Sequence, residues 1–200
     1  MTLHCLRECR TTLQNEQRAT PGVLLLLDFV AHTQTSLLVI AWCASKHMSE
    51  LFSNSDVAVL ERRITEWLFA MKDRNEAIAA VDKDQENHHR WYVRLRGEEK
   101  EFTTVWLTLG QRTLRYETYV MPAPEENAEA LYEHVLRRNE SLVGAHFSIG
   151  VEDAIFLRGE LPLRLVDEPE LDRVVGTLYA TVERIFPSII RIGFASKFAD

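Results

Sequence analysis

Apolar residues recur at three- and four-residue steps in three stretches of the chain, and each predicts a helix with one buried face. From Asp56 to about Lys72 the stripe is Val57, Leu60, Ile64, Trp67, Leu68 and Met71. Ser55 precedes it and can accept a free backbone N–H of the first turn. Glu61, Arg62, Arg63 and Glu66 lie off the stripe and read as a solvated face. The phrase MPAPEENAEALYEHVLRRNES holds a second helix. Prolines 122 and 124 precede it, acids fill its first turn, and Arg137 and Arg138 fill its last, where each sign suits the helix dipole. Its stripe is Ala128, Leu131, Tyr132, Val135 and Leu136, and Asn139 ends it. The third stripe, Leu171, Val174, Val175, Leu178, Val182 and Ile185, follows a cap at Asp167 or Glu168. Pro187 is expected to kink or end that helix. Ile189, Ile190, Ile192 and Phe194 then predict a short further helix docked on the rest.

Between the helices the period changes to two. FTTVWLTLGQRTLRYETYV alternates on both sides of Gly110-Gln111, a dipeptide suited to a two-residue turn that needs φ above zero. That turn predicts Leu109 opposite Arg112, Leu107 opposite Leu114, Val105 opposite Tyr116 and Thr103 opposite Thr118. Thr104, Trp106 and Thr108 then share the other face with Glu117, Arg115 and Thr113. The result is a half-buried antiparallel hairpin, apolar inside and polar outside. A short strand near 78–81 and a stronger one at Trp91–Arg96 precede it, joined by a polar loop over Asp82–Arg90. After the second helix, Phe147 and Ile149 mirror Ile155 and Leu157 across a short loop containing Gly150, Glu152 and Asp153, and Pro162 closes the last strand. The order helix, strands, helix, strand, strand, helix predicts an α+β fold. An antiparallel sheet of about five strands is expected, with helices packed on one face.

Residues 1–47 do not follow this pattern. Pro21–Lys46 is the most apolar stretch, but Asp28, His32, Thr33, Gln34, Thr35 and Ser36 divide it into two short runs. Neither run reaches the roughly 20 apolar residues of a membrane helix, and no small-x-small cleavage site follows. Met48 opens MSELFSNSDVAVLERR, which reads as an ordinary N-terminus. Residues 1–47 are therefore expected to be a leader, either a mis-assigned start or a poorly packed extension, and 48–200 the folded domain. The charge divides there as well: 48–200 holds 19 Lys and Arg against 27 Asp and Glu, a net −8. An acidic domain of this kind argues against nucleic acid as a partner. Cys5, Cys9 and Cys43 all lie in the leader, so the domain uses neither a disulfide framework nor a thiolate metal site. Free thiols suit a reducing cytoplasm.

No reactive constellation is legible in the domain. His88 and His89 sit in the polar loop without further spaced ligands, His134 lies on a helix edge, and His146 is on a polar strand face. There is no G-x-S-x-G elbow and no phosphate-binding glycine loop. Glu125-Glu126 and Glu152-Asp153 read as helix-start and turn acids. No catalytic residue, metal site or cofactor is expected.

Three phrases acting together carry a family resemblance: RWYVRLRGE at Arg90–Glu98, TVWLTLGQRTLRYETYVMPAPEENAEALYEHVLRRN from Thr104 to Asn139, and DAIFLRGELPL at Asp153–Leu163. With the apolar C-terminal helix they make residues 56–195 resemble the YbjN domain family, and its actinobacterial members in particular. That resemblance implies a fold like that of type III secretion chaperones. It also implies a non-enzymatic, chaperone-like or sensory-transduction regulatory protein without catalytic residues to carry over. Chaperones of the similar fold bind extended segments of partner proteins, often as dimers, so a protein partner is implied and a homodimer is left open. Trp106 beside Arg115, with the Arg94 and Arg96 strand, are the candidate contact residues, because aromatics and Arg dominate binding energy once desolvated. Three rivals stand: a helix of the same chain covering Trp106, an enzyme or small-ligand site in a sheet–helix groove, and a membrane-associated form using residues 21–46.

Overall fold

The computed structural model describes residues 52–199. The expectations about the leader, its cysteines and the 21–46 stretch lie outside the described residues. Helix α1 spans Asn54–Arg74 and buries Val57, Leu60, Ile64, Leu68 and Met71, with Trp67 half-buried at the edge of the stripe. Its cap is Ser53 rather than Ser55. The Ser53 hydroxyl accepts the Asp56 N–H at 3.2 Å, and the Asp56 carboxylate accepts the Ser53 N–H at 3.0 Å. Only a serine three residues before an acid can satisfy both groups reciprocally, and Ser53 has that spacing where Ser55 does not.

Six strands follow, not five. β1 (Ile78–Lys83), β2 (Arg90–Arg96), β3 (Phe102–Leu109) and β4 (Thr113–Met121) run consecutively. Helix α2 (Ala128–Asn139) leads to β5 (His146–Ile149) and β6 (Ile155–Pro162). All six form one antiparallel sheet in the order β1-β2-β3-β4-β6-β5. β1 is longer than its apolar residues foretold, because Asp82 and Lys83 pair with Tyr92 and Trp91. The polar loop shrinks accordingly to residues 84–89.

The central hairpin has the expected faces but a different register. Leu109 lies opposite Leu114, Leu107 opposite Tyr116 and Val105 opposite Thr118. The turn is therefore centred one residue later, on Gln111-Arg112, and is closed by a bond from the Gly110 N–H to the Thr113 carbonyl at 2.9 Å. A slip of two residues preserves which side chains point inward, since the strand period is two, so the apolar face survives the change. In β4 an irregularity between Tyr119 and Met121 lets Val120 and Met121 both turn inward.

Helix α3 (Glu168–Gly193) is capped by Asp167, whose carboxylate accepts the Glu170 N–H at 2.9 Å. It continues through Pro187 and absorbs the apolar residues expected to form a separate helix. A mid-helix proline costs about 3 kcal/mol. Burial of Ile189 and Phe194 beyond the proline, with Ile190 and Ile192 packed partly against the core, offsets that cost. Helices α1, α2 and α3 all lie on one face of the sheet. Their stripes join Trp91, Val93, Leu107, Leu114, Leu157 and neighbours in one continuous core. Trp91 is completely buried, and its indole N–H donates to the Thr65 hydroxyl at 3.0 Å.

Candidate functional site

The face of the sheet opposite the helices follows from alternation. Trp91, Val93 and Leu95 point into the core, so Arg90, Tyr92, Arg94 and Arg96 point away. The same rule turns Thr104, Trp106 and Thr108 outward on β3, Arg115, Glu117 and Tyr119 on β4, and Arg158 and Glu160 on β6. No helix of the described residues covers this face.

A chain of aromatic rings crosses it. Tyr92 meets Trp106 edge-on with centroids 6.4 Å apart, Trp106 meets Phe156 at 6.2 Å, and Phe156 meets Tyr119 at 5.6 Å. These are favourable edge-to-face contacts between neighbouring strands. They leave Phe156 only 6% exposed although it faces away from the core. The Arg158 guanidinium lies 4.4 Å from the Phe156 ring centre, and its Nε is 2.6 Å from a Glu117 carboxylate oxygen. That contact is an ion pair and not a directed hydrogen bond, since Nε is buried without a hydrogen-bond partner. Beside it, Arg115, Glu117, His146, Arg158 and Glu160 border a shallow depression of about 500 Å³. At one end of the aromatic chain the Tyr92 hydroxyl donates to Asp84 at 2.6 Å. That bond holds the phenol above its ordinary pKa, while the Asn87 backbone N–H and the same bond hold Asp84 below the usual carboxylate range.

All four sequence-predicted contact residues lie on this face, and Arg94, Arg96 and Arg115 are exposed. Trp106 is not opposite Arg115 as the expected register had it. It faces Glu117, and Arg115 faces Thr108. Among the described residues no carboxylate lies within 4.0 Å of Arg94, Arg96 or Arg115. Trp106 is half-buried, by its aromatic neighbours rather than by a described helix. Sequence reading missed Phe156, Tyr119 and Arg158. The signal was present in the strand that carries Phe156: in AIFL the outward Phe156 breaks an alternation that would otherwise place a polar residue there.

The sheet edges differ in availability. At β5 the Asn139 side chain accepts the Phe147 N–H at 2.7 Å and donates to the Phe147 carbonyl at 3.3 Å, so a carboxamide fills the place of a neighbouring strand. At the opposite side β1 is broken by a bulge between Ile78 and Ala80. A bulged edge and an occupied one both discourage strand addition.

Polar clusters elsewhere serve the fold. Glu61 pairs with Lys83 at 2.5 Å and with His89 at 3.2 Å, tying α1 to β1 and to the polar loop. The Glu183 carboxylate accepts N–H groups from Glu98, Glu99 and Lys100 at 2.7, 3.0 and 3.2 Å, pinning the β2–β3 turn to α3. Among the described residues no three His, Cys, Asp or Glu side chains converge as a metal site. No helix among them is long and apolar enough to cross a membrane.

A family model described as "YbjN: Putative bacterial sensory transduction regulator" matches residues 63–191. The chain belongs to the YbjN family. The YbjN match runs from within α1 almost to the end of α3, so it takes in the whole sheet and its open face. Curated relatives include the uncharacterised proteins Mb0497 of Mycobacterium bovis and Rv0487 of Mycobacterium tuberculosis, each 36% identical over 105 residues. Those matches cover 52% of this chain and 57% of each relative. The uncharacterised protein ML2442 of Mycobacterium leprae is 34% identical over 108 residues, 54% of this chain and 59% of that protein. The chain thus matches somewhat more than half the length of these curated relatives. Among solved structures, a chain of the heterodimeric complex ExoU-SpcU from the type III secretion system of Pseudomonas aeruginosa aligns with a TM-score of 0.39 at 14% identity. It covers 47% of this chain and 80% of that one, a likeness that adds nothing to the YbjN assignment.

Proposed function

We propose that this YbjN protein is a non-enzymatic, chaperone-like or sensory-transduction regulatory protein of the cytoplasm. It docks a protein partner on the open face of its sheet. The observation that carries this reading is the aromatic chain Tyr92–Trp106–Phe156–Tyr119, held on a face without a described helix and bordered by exposed arginines. Trp106 is the central anchor, and Arg94, Arg96 and Arg115 form its charged rim. Desolvating a pre-ordered aromatic costs little side-chain entropy, and for that reason aromatics with Arg at the margin dominate protein interfaces. The rival reading, a catalytic or small-ligand groove between sheet and helices, has less support. The concavity there, bordered by Tyr116, Gly144 and Arg173, leaves no room for even a water-sized molecule, against the few hundred Å³ typical of ligand sites.

The test is affinity capture from the native host with wild type, Trp106→Ala and Arg115→Glu as baits, each checked for folding by circular dichroism. A partner held by wild type and lost from both folded variants is the expected result. Equal capture by all three baits removes the open face from the interface. Sedimentation of wild type against the same variants reads whether the partner is a second copy.

A further inference from the structure

Resting on the docking reading above, we infer that the open face selects an extended partner segment whose carboxylates alternate with apolar side chains. Charge is distributed unevenly over this molecule. Residues 48–200 carry a net −8, yet the outward positions of the sheet carry Arg90, Arg94, Arg96, Arg115 and Arg158 against Asp82, Glu117 and Glu160. A cationic surface on an acidic domain is complementary to an acidic ligand and disfavours face-to-face pairing with the same surface of a second copy.

The placement of those cations is specific. Tyr92, Trp106 and Glu117 lie in one row across β2, β3 and β4. Arg94 stands one same-face step beyond Tyr92 on β2, and Arg115 one same-face step before Glu117 on β4. Because β2 and β4 run in the same direction, the two guanidiniums flank the row from opposite sides. Same-face positions along a strand are about 6.6 Å apart, and adjacent strands about 4.8 Å. An extended segment following the aromatic chain therefore sets one apolar side chain over Trp106 and Phe156 with carboxylates within reach of the flanking arginines. Recognition by the face, not by strand addition, agrees with the Asn139 carboxamide occupying the β5 edge. Nucleic acid fits less well, because Asp82, Glu117 and Glu160 interrupt the arginines where a phosphate backbone needs an unbroken basic track.

The probe is a fluorescein-labelled ten-residue peptide in which glutamate alternates with leucine and phenylalanine. Its lysine counterpart and a twelve-nucleotide oligothymidylate are the comparators, all read by fluorescence anisotropy on the full chain. The glutamate peptide is expected to bind at least tenfold tighter than either comparator, and to weaken as salt rises from 50 to 300 mM. It should lose tenfold or more in affinity on Arg94→Glu with Arg115→Glu, and keep most of it on the Lys double variant. These arginines are exposed, so the charge variants remain informative if Trp106→Ala fails to fold. Equal binding of glutamate and lysine peptides, lost on Trp106→Ala, overturns the charge selection and leaves the docking reading standing. Tighter binding of the oligonucleotide overturns the inference in favour of nucleic acid. No binding of the glutamate peptide also overturns it, and the capture assay then decides the docking reading by itself.

Discussion

Lys100 shows what a single half-buried charge does to this fold. It sits in the turn after Gly97, where only glycine fits, since a Cβ there would collide with the Glu183 carboxylate and the Lys100 carbonyl. The Lys100 ammonium donates to the Tyr119 carbonyl and lies 5.2 and 5.8 Å from the ring centres of Tyr119 and Phe186. Burial lowers its pKa from 10.5 to about 8, with Glu183 opposing the shift. Below pH 8 the amine is protonated in both states, and the folded chain bears the cost of burying it. Between about 8 and 10.5 the folded chain has released a proton that the unfolded chain still holds, so stability rises with pH. Tyr92, Tyr116, Tyr119 and Tyr179 are held above the ordinary phenol value, and they reverse the trend beyond pH 10. Wild type should therefore gain about 2 kcal/mol on Lys100→Met between pH 7.5 and 9.5 in urea unfolding. Parallel curves would mean the ammonium stays hydrated.

At the scale of elements, the hairpin and the β5 edge set the limits of what can be read from pattern. The inward set of β3 and β4 was legible because a period of two survives any even slip. The register was not, because the turn can be centred on Gly110-Gln111 or one residue later on Gln111-Arg112. Cross-strand packing of Leu107 on Tyr116 and pairing of β4 with β6 select between them. Asn139 was legible as a helix end and not as a strand substitute, since its partner Phe147 lies eight residues away across a turn. Asn139→Ala should destabilise the protein by about 1–2 kcal/mol, the cost of stranding a backbone donor and acceptor. It should also speed hydrogen exchange at the Phe147 amide and promote self-association through the freed edge. Asn139→Asp keeps the acceptor and should lose less stability. Unchanged exchange at Phe147 in the Ala variant would show that the edge is closed by something else.

At the scale of the molecule, one core connects Val57 of α1 to Phe194 beyond α3. No strand or helix in it buries its apolar face alone, so the described residues should unfold as one cooperative unit. In a Trp42→Phe variant, the remaining tryptophans report α1, β2 and β3 through Trp67, Trp91 and Trp106. Their fluorescence transition in urea should coincide with the far-ultraviolet circular dichroism transition, and separated midpoints would divide the sheet from a helix. The same scale explains the exposure of Arg94, Arg96 and Arg115, since all three helices are committed to the opposite face and no described carboxylate is carried over to them.

By itself the sequence determined the α+β class, the three amphipathic helices, the inward faces of β3, β4 and β6 and the family, because these depend on local periodicity and on phrases read in order. Tertiary structure alone decided the six-strand order, the centre of the hairpin turn and the passage of α3 through Pro187. It alone also brought Phe156 and Tyr119 to Trp106. Each of those depends on contacts between residues distant in the chain, where burial and cross-strand packing outweigh the local preference of a turn or a proline.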